Sequence, residues 1–280
     1  FVLVAVWITS DLIVSDWLLV PKVNSSFYSD TAGDNLNLAG SRLFIPADNE
    51  YTLKFNKYFQ FADYAPGVDW SDLHSVMLPN LNLLHDVVMV NNFDPLLPGR
   101  YKTWMEQINL MIPILQIPYL KLMDVRQVEI IDPYKDAGIV FEEINSPSRY
   151  RWYTCAKFVS SEKEALESVF ENNQIPDYLV IEGEEQNGWG ACSPGQEPEV
   201  TWEAVDGNPN QKLLHINTTE DGWLMIADTW YPGWIARIDK TPMTLYRANY
   251  LFMGLYIEEG SHSIEINYRP VSFYAGALIS

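Results

Sequence analysis

The residues with the most chemical potential lie in two short stretches. In NNFDPLLPGRY (Asn91 to Tyr101), a carboxylate at Asp94 and a guanidinium at Arg100 flank a turn built on Pro95, Pro98 and Gly99. Such a pair can hold a sugar hydroxyl or a phosphate. It can equally be a turn-forming aspartate with its ion-pair partner. The second stretch is DTWYPGW (Asp228 to Trp234), followed by YRANY (Tyr246 to Tyr250). Asp228, Trp230, Arg247, Asn249 and Tyr250 bring together a carboxylate, a guanidinium, an amide and aromatic rings, the set that neutral sugars stack on and bond to. The competing reading is architectural: Pro232-Gly233 makes a tight turn, its aromatic neighbours bury, and Asp228 serves backbone groups or an arginine. Candidate ligand-binding residues are therefore Asp94, Arg100, Asp228, Trp230, Arg247, Asn249 and Tyr250.

No residue is nominated as catalytic. The sequence holds no P-loop, GxGxxG, HExxH or GxSxG, the spacings that cradle phosphates, bind zinc or raise a nucleophilic serine. Carboxylates are plentiful, but nothing in their spacing sets two of them face to face as a glycosidase requires. The four histidines (His74, His85, His215, His262) and two cysteines (Cys155, Cys192) lack metal-ligand spacing, so neither a metal nor a cofactor is expected. The two cysteines read as free, mostly buried thiols. Pairing stays open for a domain in an oxidising space, since sequence does not bring their Cβ atoms together.

A formal charge of −19 over 280 residues argues against nucleic acid, whose phosphates it would repel, and offers no polybasic patch to anionic lipid. The 48% hydrophobic content is ample for a sizeable core in one or two domains. The 10 Trp and 16 Tyr suit sandwich cores, sugar faces and membrane interfaces alike.

The elements that must position these residues follow from periodicity. From EVTWEAV (Glu199 to Val205) and KLLHINT (Lys212 to Thr218) onward, short runs rich in β-branched and aromatic residues alternate with turn signals: WLMIAD, WIARID, MTLYRA, FMGLYI and SIEINYR. Trp234, Ala236 and Ile238 alternate with Ile235, Arg237 and Asp239, as antiparallel strands with one buried face require. A β-sandwich over residues 191–270 is expected. Upstream, RLFIP (Arg42 to Pro46), TLKFNKYFQFA (Thr52 to Ala62), VVMV (Val87 to Val90) and VEIID (Val128 to Asp132) read as strands. GIVFEEI (Gly138 to Ile144) and YRWYTCAKFV (Tyr150 to Val159) read as a strand pair. Ser160 or Ser161 caps a helix through SSEKEALESVFEN, and DYLVIEGE follows as a strand. Residues 21–190 are thus expected to form an α/β portion, making the fold class α+β.

The two ends differ from the middle. FVLVAVWITSDLIVSDWLLV (residues 1–20) opens apolar, with Asp11 and Asp16 as its charges, and VSFYAGALIS (residues 271–280) has none. Each is shorter than the roughly 20 apolar residues a full span needs. They are read as the end of one transmembrane helix and the start of the next. An amphipathic soluble helix is the alternative at the first, because carboxylates inside a span are costly.

DTWYPGW, YRANYLFMGLYI (Tyr246 to Ile257) and GSHSIEINYRPVSFYAGALIS (Gly260 to Ser280) resemble the late extracytoplasmic domain of YfhO-type bacterial membrane proteins. LPNLNLLHDVVMVNNFDPLLPGRY (Leu78 to Tyr101) and RYRWYTCAKFVSSEKEALESVF (Arg149 to Phe170) extend the resemblance less closely upstream. These proteins are grouped with GT-C glycosyltransferases that use polyprenyl-linked sugars. The resemblance implies a cell-membrane protein with this domain on the extracytoplasmic side, tied to the membrane through flanking helices. It further implies partners in a glycan acceptor and a polyprenyl-phosphate sugar, with catalysis on an early loop absent from this chain. The rival reading is a non-catalytic carbohydrate-binding or cell-surface interaction module.

Overall fold

The computed structural model describes residues 2–19, 36–59, 73, 76–91, 96–132, 138–145, 148–185, 189–190, 198–273 and 276. They fall into two compact units: Phe1–Leu96 with Val125–Pro147, and Leu97–Asp124 with Ser148–Ser280. The chain is α+β with many antiparallel strands, as its periodicity requires.

The first unit contains helix α1 (Val2–Leu19), whose residues 4–14 are exposed. Among the described residues no helix is long and apolar enough to cross a membrane. A three-stranded sheet of order β1-β2-β3 follows, from β1 (Arg42–Phe44), β2 (Val125–Asp132) and β3 (Gly138–Glu143). The stretch expected as a strand from Thr52 is helical. Helix α2 (Ala47–Tyr51) runs directly into a π-helix at Thr52–Tyr58. Two pairs one turn apart explain it: Lys54 bonds Glu50, and the Phe55 ring packs 5.0 Å from that of Tyr51. Such i,i+4 partners favour a helix over the alternation a strand needs. VVMV contributes one parallel bridge, Met89 to Leu43, rather than a strand.

The second unit is layered. One sheet has order β11-β10-β14-β8-β7, from β7 (Val200–Asn208), β8 (Gln211–Thr218), β10 (Trp234–Ile238), β11 (Thr241–Met243) and β14 (Gly260–Tyr268). The other has order β4-β9-β13-β12-β6-β5. Its strands are β4 (Tyr150–Tyr153), β5 (Ala156–Val159), β6 (Leu179–Glu182), β9 (Gly222–Ile226), β12 (Tyr246–Ala248) and β13 (Phe252–Ile257). Leu214, Ile216, Ala236, Ile264 and Ile266 of the first sheet meet Leu224, Ile226, Met253, Leu255 and Ile257 of the second in one apolar core. The two sheets pack as a sandwich, and it takes in β4, β5 and β6, which come from upstream of the stretch in which it is expected.

Opposite residues in β13 face away from that core. Phe252 meets Trp104 of α3 (Gly99–Asn109), and Trp104 in turn packs on Phe170 of α5 (Glu162–Phe170). Phe170 stacks on Tyr119 of α4 (Pro113–Leu122) at 4.6 Å. Ser161 caps α5 as expected, accepting from the Glu164 amide at 3.2 Å.

Two further expectations need correcting. β3 pairs with β2, whereas β4 pairs with β9, so the two do not form a strand pair. Alternation marks a strand's buried face but says nothing of its neighbour. Cys155 is disulfide-bonded, not a free thiol. The chain's other cysteine, Cys192, lies outside the described residues.

Candidate functional site

The site is built on the β12–β13 hairpin. Asn249 and Tyr250 at its turn have φ of 42° and 68°, a left-handed conformation that Asn tolerates better than most residues. Asn249 is fully buried. Its amide donates to the Val180 carbonyl at 2.7 Å, and its Oδ1 accepts from the Val180 amide at 3.0 Å. The side chain continues the ladder toward β6, which is an architectural task.

Two residues earlier, Arg247 lies with its guanidinium 4.2 Å from the Trp230 ring and 3.5 Å from Glu182 Oε2. Glu182 closes β6 and is shared. Arg100, in the first turn of α3, grips it with both terminal nitrogens, donates to the Tyr250 carbonyl at 3.0 Å and lies 3.2 Å from Glu162. The Tyr250 hydroxyl donates to Glu162 at 3.0 Å, and its ring lies 4.9 Å from the Arg100 guanidinium. Two guanidinium groups and two carboxylates thus balance. Burial, and then the positive charge of Arg100, pull the Arg247 pKa down from its usual value. Burial pushes that of Tyr250 up.

Asp228 forms a separate centre. Its carboxylate receives Arg149 Nε and Nη2 at 3.1–3.2 Å, and Lys212 Nζ lies 2.7 Å from Oδ2. The Lys212 side chain is only 4% exposed. From Asp228 the chain passes Trp230, whose indole donates to the Leu245 carbonyl at 3.1 Å. It then turns at Gly233, whose φ is 112°; a Cβ there would meet the Pro270 Cα at 2.9 Å. Tyr231, between them, is 49% exposed.

The structure therefore gathers Arg100, Trp230, Arg247 and Tyr250 around Glu182, commits Asn249 to the ladder and pairs Asp228 elsewhere. Asp94 lies outside the described residues. Sequence reasoning missed Glu182, Glu162, Arg149 and Lys212. A signal existed for two of them: Glu182 is the one acid in LVIE, and Lys212 occupies an inward position of a cleanly alternating strand. Among the described residues no group of three His, Cys, Asp or Glu could hold a metal. Of the aromatic residues here, Tyr250 is buried and Trp230 is half-buried against the sandwich core beneath Arg247, while Tyr231 is the exposed ring beside them.

Residues 196–280, which carry β7 to β14, match the family described as bacterial membrane protein YfhO. Over that stretch the chain is similar to YfhO. It is also 26% identical over 76 residues to the uncharacterised protein YfhO of Bacillus subtilis strain 168. That match takes in 27% of this chain and 9% of the relative. No solved structure matches. Asp228, Trp230, Arg247, Asn249 and Tyr250 lie inside the YfhO match, whereas their partners Arg100, Arg149, Glu162 and Glu182 precede it.

Proposed function

We propose that this chain is the extracytoplasmic accessory part of a polytopic YfhO-type membrane glycosyltransferase. Its sandwich takes the acceptor side while sugar passes from a polyprenyl-phosphate carrier to a cell-envelope polymer. The observation that carries this reading is the charge-balanced cluster of Arg100, Arg247, Glu182 and Glu162 beside Trp230. Its guanidinium groups already hold carboxylates, so a neutral sugar stacked on aromatic rings suits it better than a phosphate. The YfhO match supports attachment to a membrane. The disulfide at Cys155 supports an oxidising, extracytoplasmic setting, where such bonds persist.

The test is calorimetric titration of this chain with neutral and phosphorylated glycans at low and high ionic strength. Binding of neutral glycans with little salt dependence, and no turnover, is expected, because stacking and hydrogen bonds are not screened as ion pairs are. Tight, salt-sensitive binding of a phosphorylated glycan would overturn it. The exposed Tyr231 beside Trp230 favours a second reading, a non-catalytic carbohydrate-binding module. The full-length protein separates the two: only the transferase reading requires sugar transfer from a lipid-linked donor in its membranes.

A further inference from the structure

The first unit contains a carboxyl group that no feature of the proposed function uses. Glu129, in the middle strand of the β1-β2-β3 sheet, is fully buried. Both of its oxygens face one donor, the Met77 amide, at 3.2 and 3.1 Å. No cation among the described residues lies within ion-pair reach of it. Its cross-strand partner is Phe141. One pair along the same face, exposed Glu143 stands opposite Gln127, and at the other side Ile139 stands opposite Ile131. The segment from Val76 to Leu78 carries no ionisable side chain, nor does the neighbouring stretch Leu36–Leu38, which Gln127 fastens by accepting from the Asn37 amide at 2.9 Å. On α2 and the π-helix after it, Glu50 is engaged by Lys54, and Lys57 sits 4.5 Å from the Tyr58 ring. On β1 and β2 themselves the charged side chains are Arg42, Arg126 and Asp132, at strand ends or on the alternate face.

An ionised carboxylate cannot be kept in such a place without a partner charge; the group takes up a proton instead. We propose that Glu129 is a proton-operated latch: as the neutral acid it closes the Val76–Leu78 segment onto β2, and its ionisation loosens that segment. What it holds matters to the whole unit. Val76 and Leu78 belong to one apolar cluster with Ile45, Leu53 and Tyr58, and Met77 belongs to another with Leu43 and Val87. The Met77 bond thus fastens to the central strand the one segment that both clusters share, alongside the β1–β2 pairing. In opening, the carboxyl O–H bond breaks, its proton passes to water, and the carboxylate becomes hydrated as the segment lifts.

Burial raises the Glu129 pKa from 4.5 to about 8, against a smaller lowering by the Met77 bond. The folded state therefore holds a proton that the opened state gives up. The latch is fully effective below about pH 4.5, weakens as pH rises, and levels off above about pH 8. One proton is involved, so opening should increase roughly tenfold per pH unit inside that window.

The experiment has two arms on this same chain. Carbon-13 labelling of glutamate carboxyls follows Glu129 by its chemical shift, assigned by its loss in Glu129→Gln. Hydrogen exchange of the peptide spanning Val76–Leu78, corrected for intrinsic pH dependence, follows the latch. Expected are one carboxyl titrating near pH 8, apart from all others, and protection that falls as pH rises from 5 to 8 in the wild type but stays level in Glu129→Gln. A Glu129 carboxyl already ionised at pH 6, or an unchanged protection profile in the variant, would overturn the proposal. Should the variant not fold, the wild type still decides: one carboxyl titrating apart from all others must level off at the same pH as the fall in Val76–Leu78 protection.

Discussion

Glu129 in the first unit and the site carboxylates in the second are buried in opposite ways. In the second, every buried or half-buried ion named at the candidate site has a counter-ion: Asp228 answers Arg149 and Lys212, while Glu182 answers Arg100 and Arg247. In the first, Glu129 has a single amide. The difference teaches what each region is sensitive to. A matched pair stays charged through the neutral range and fails when one partner is removed. A lone buried acid stays neutral and fails when pH removes its proton.

The sharpest way to break the comparison is to unmatch a pair. Asp228→Asn leaves Lys212, almost wholly buried, facing a neutral amide. Breaking a buried pair in this manner costs on the order of 3–5 kcal/mol, which urea unfolding would read as a lowered midpoint for the second unit. A loss under about 1 kcal/mol, the range of exposed pairs, would place Asp228 among surface ion pairs and return it to the ligand-binding candidates. Glu129→Gln is the counterpart, with the opposite sign at high pH. Glu129's own contribution to wild-type stability is fully present below about pH 4.5 and declines toward pH 8. The linkage amounts to on the order of 3–5 kcal/mol at most, capped by whatever local opening costs. The variant, having nothing to ionise, should lack that decline, so the two pH profiles should converge in acid and separate toward pH 8.

Much of the second unit was legible in the sequence because its strands alternate. In β8, Lys212, Leu214, Ile216 and Thr218 point inward and Leu213, His215 and Asn217 outward. Burial of one face is all that period-2 reading needs. What alternation cannot carry is partnership. Nothing in GIVFEEI and YRWYTCAKFV says that the first joins β2 and the second joins β9, some seventy residues on. The site shows the same limit. Trp230, Arg247 and Tyr250 were legible as unusual residue types at a turn, but the acids that neutralise the arginines, Glu182 and Glu162, come from a strand and a helix far away in sequence. In the first unit the helical run from Thr52 was illegible as such, because Leu53, Phe55 and Lys54, Asn56 imitate strand alternation.

Trp234 tests how far alternation also fixes depth. It shares a face with buried Ala236 and with Ile238, as expected, yet it is only half-buried. It lies 5.0 Å from the Tyr268 ring and 5.7 Å from Lys212 Nζ. Its position near the edge of the core should place Trp234→Ala at roughly 2 kcal/mol, below the 3–5 typical of fully buried tryptophans. Trp223, fully buried on β9, is the internal control and should reach that higher range. Equal losses at the two positions, read by urea unfolding, would mean that Trp234 is as deep as the core itself.

The smallest expected effect concerns the helix that carries Glu162 into the candidate site. Ser161 has extended backbone angles, φ −142° and ψ 154°, and its hydroxyl accepts from the Glu164 amide. The Glu164 carboxylate reaches back to the Ser160 amide at 3.0 Å, so the two ends of the first turn hold each other much as a capping box does. Ser161→Ala removes the acceptor and leaves one amide of the first turn without it, which costs about 1 kcal/mol. Ser161→Gly should cost only a few tenths, since glycine leaves the amide open to water. The same substitution separates stability from site geometry. Glu162 is the first residue of α5 and bonds both Arg100 and the Tyr250 hydroxyl. If the cap positions that carboxylate, Ser161→Ala should weaken neutral-glycan binding by more than Ser161→Gly, in proportion to the fraying each causes. Calorimetric binding that is identical in both variants, alongside the expected loss of stability, would show that the Arg100–Glu182 pair alone holds the cluster together.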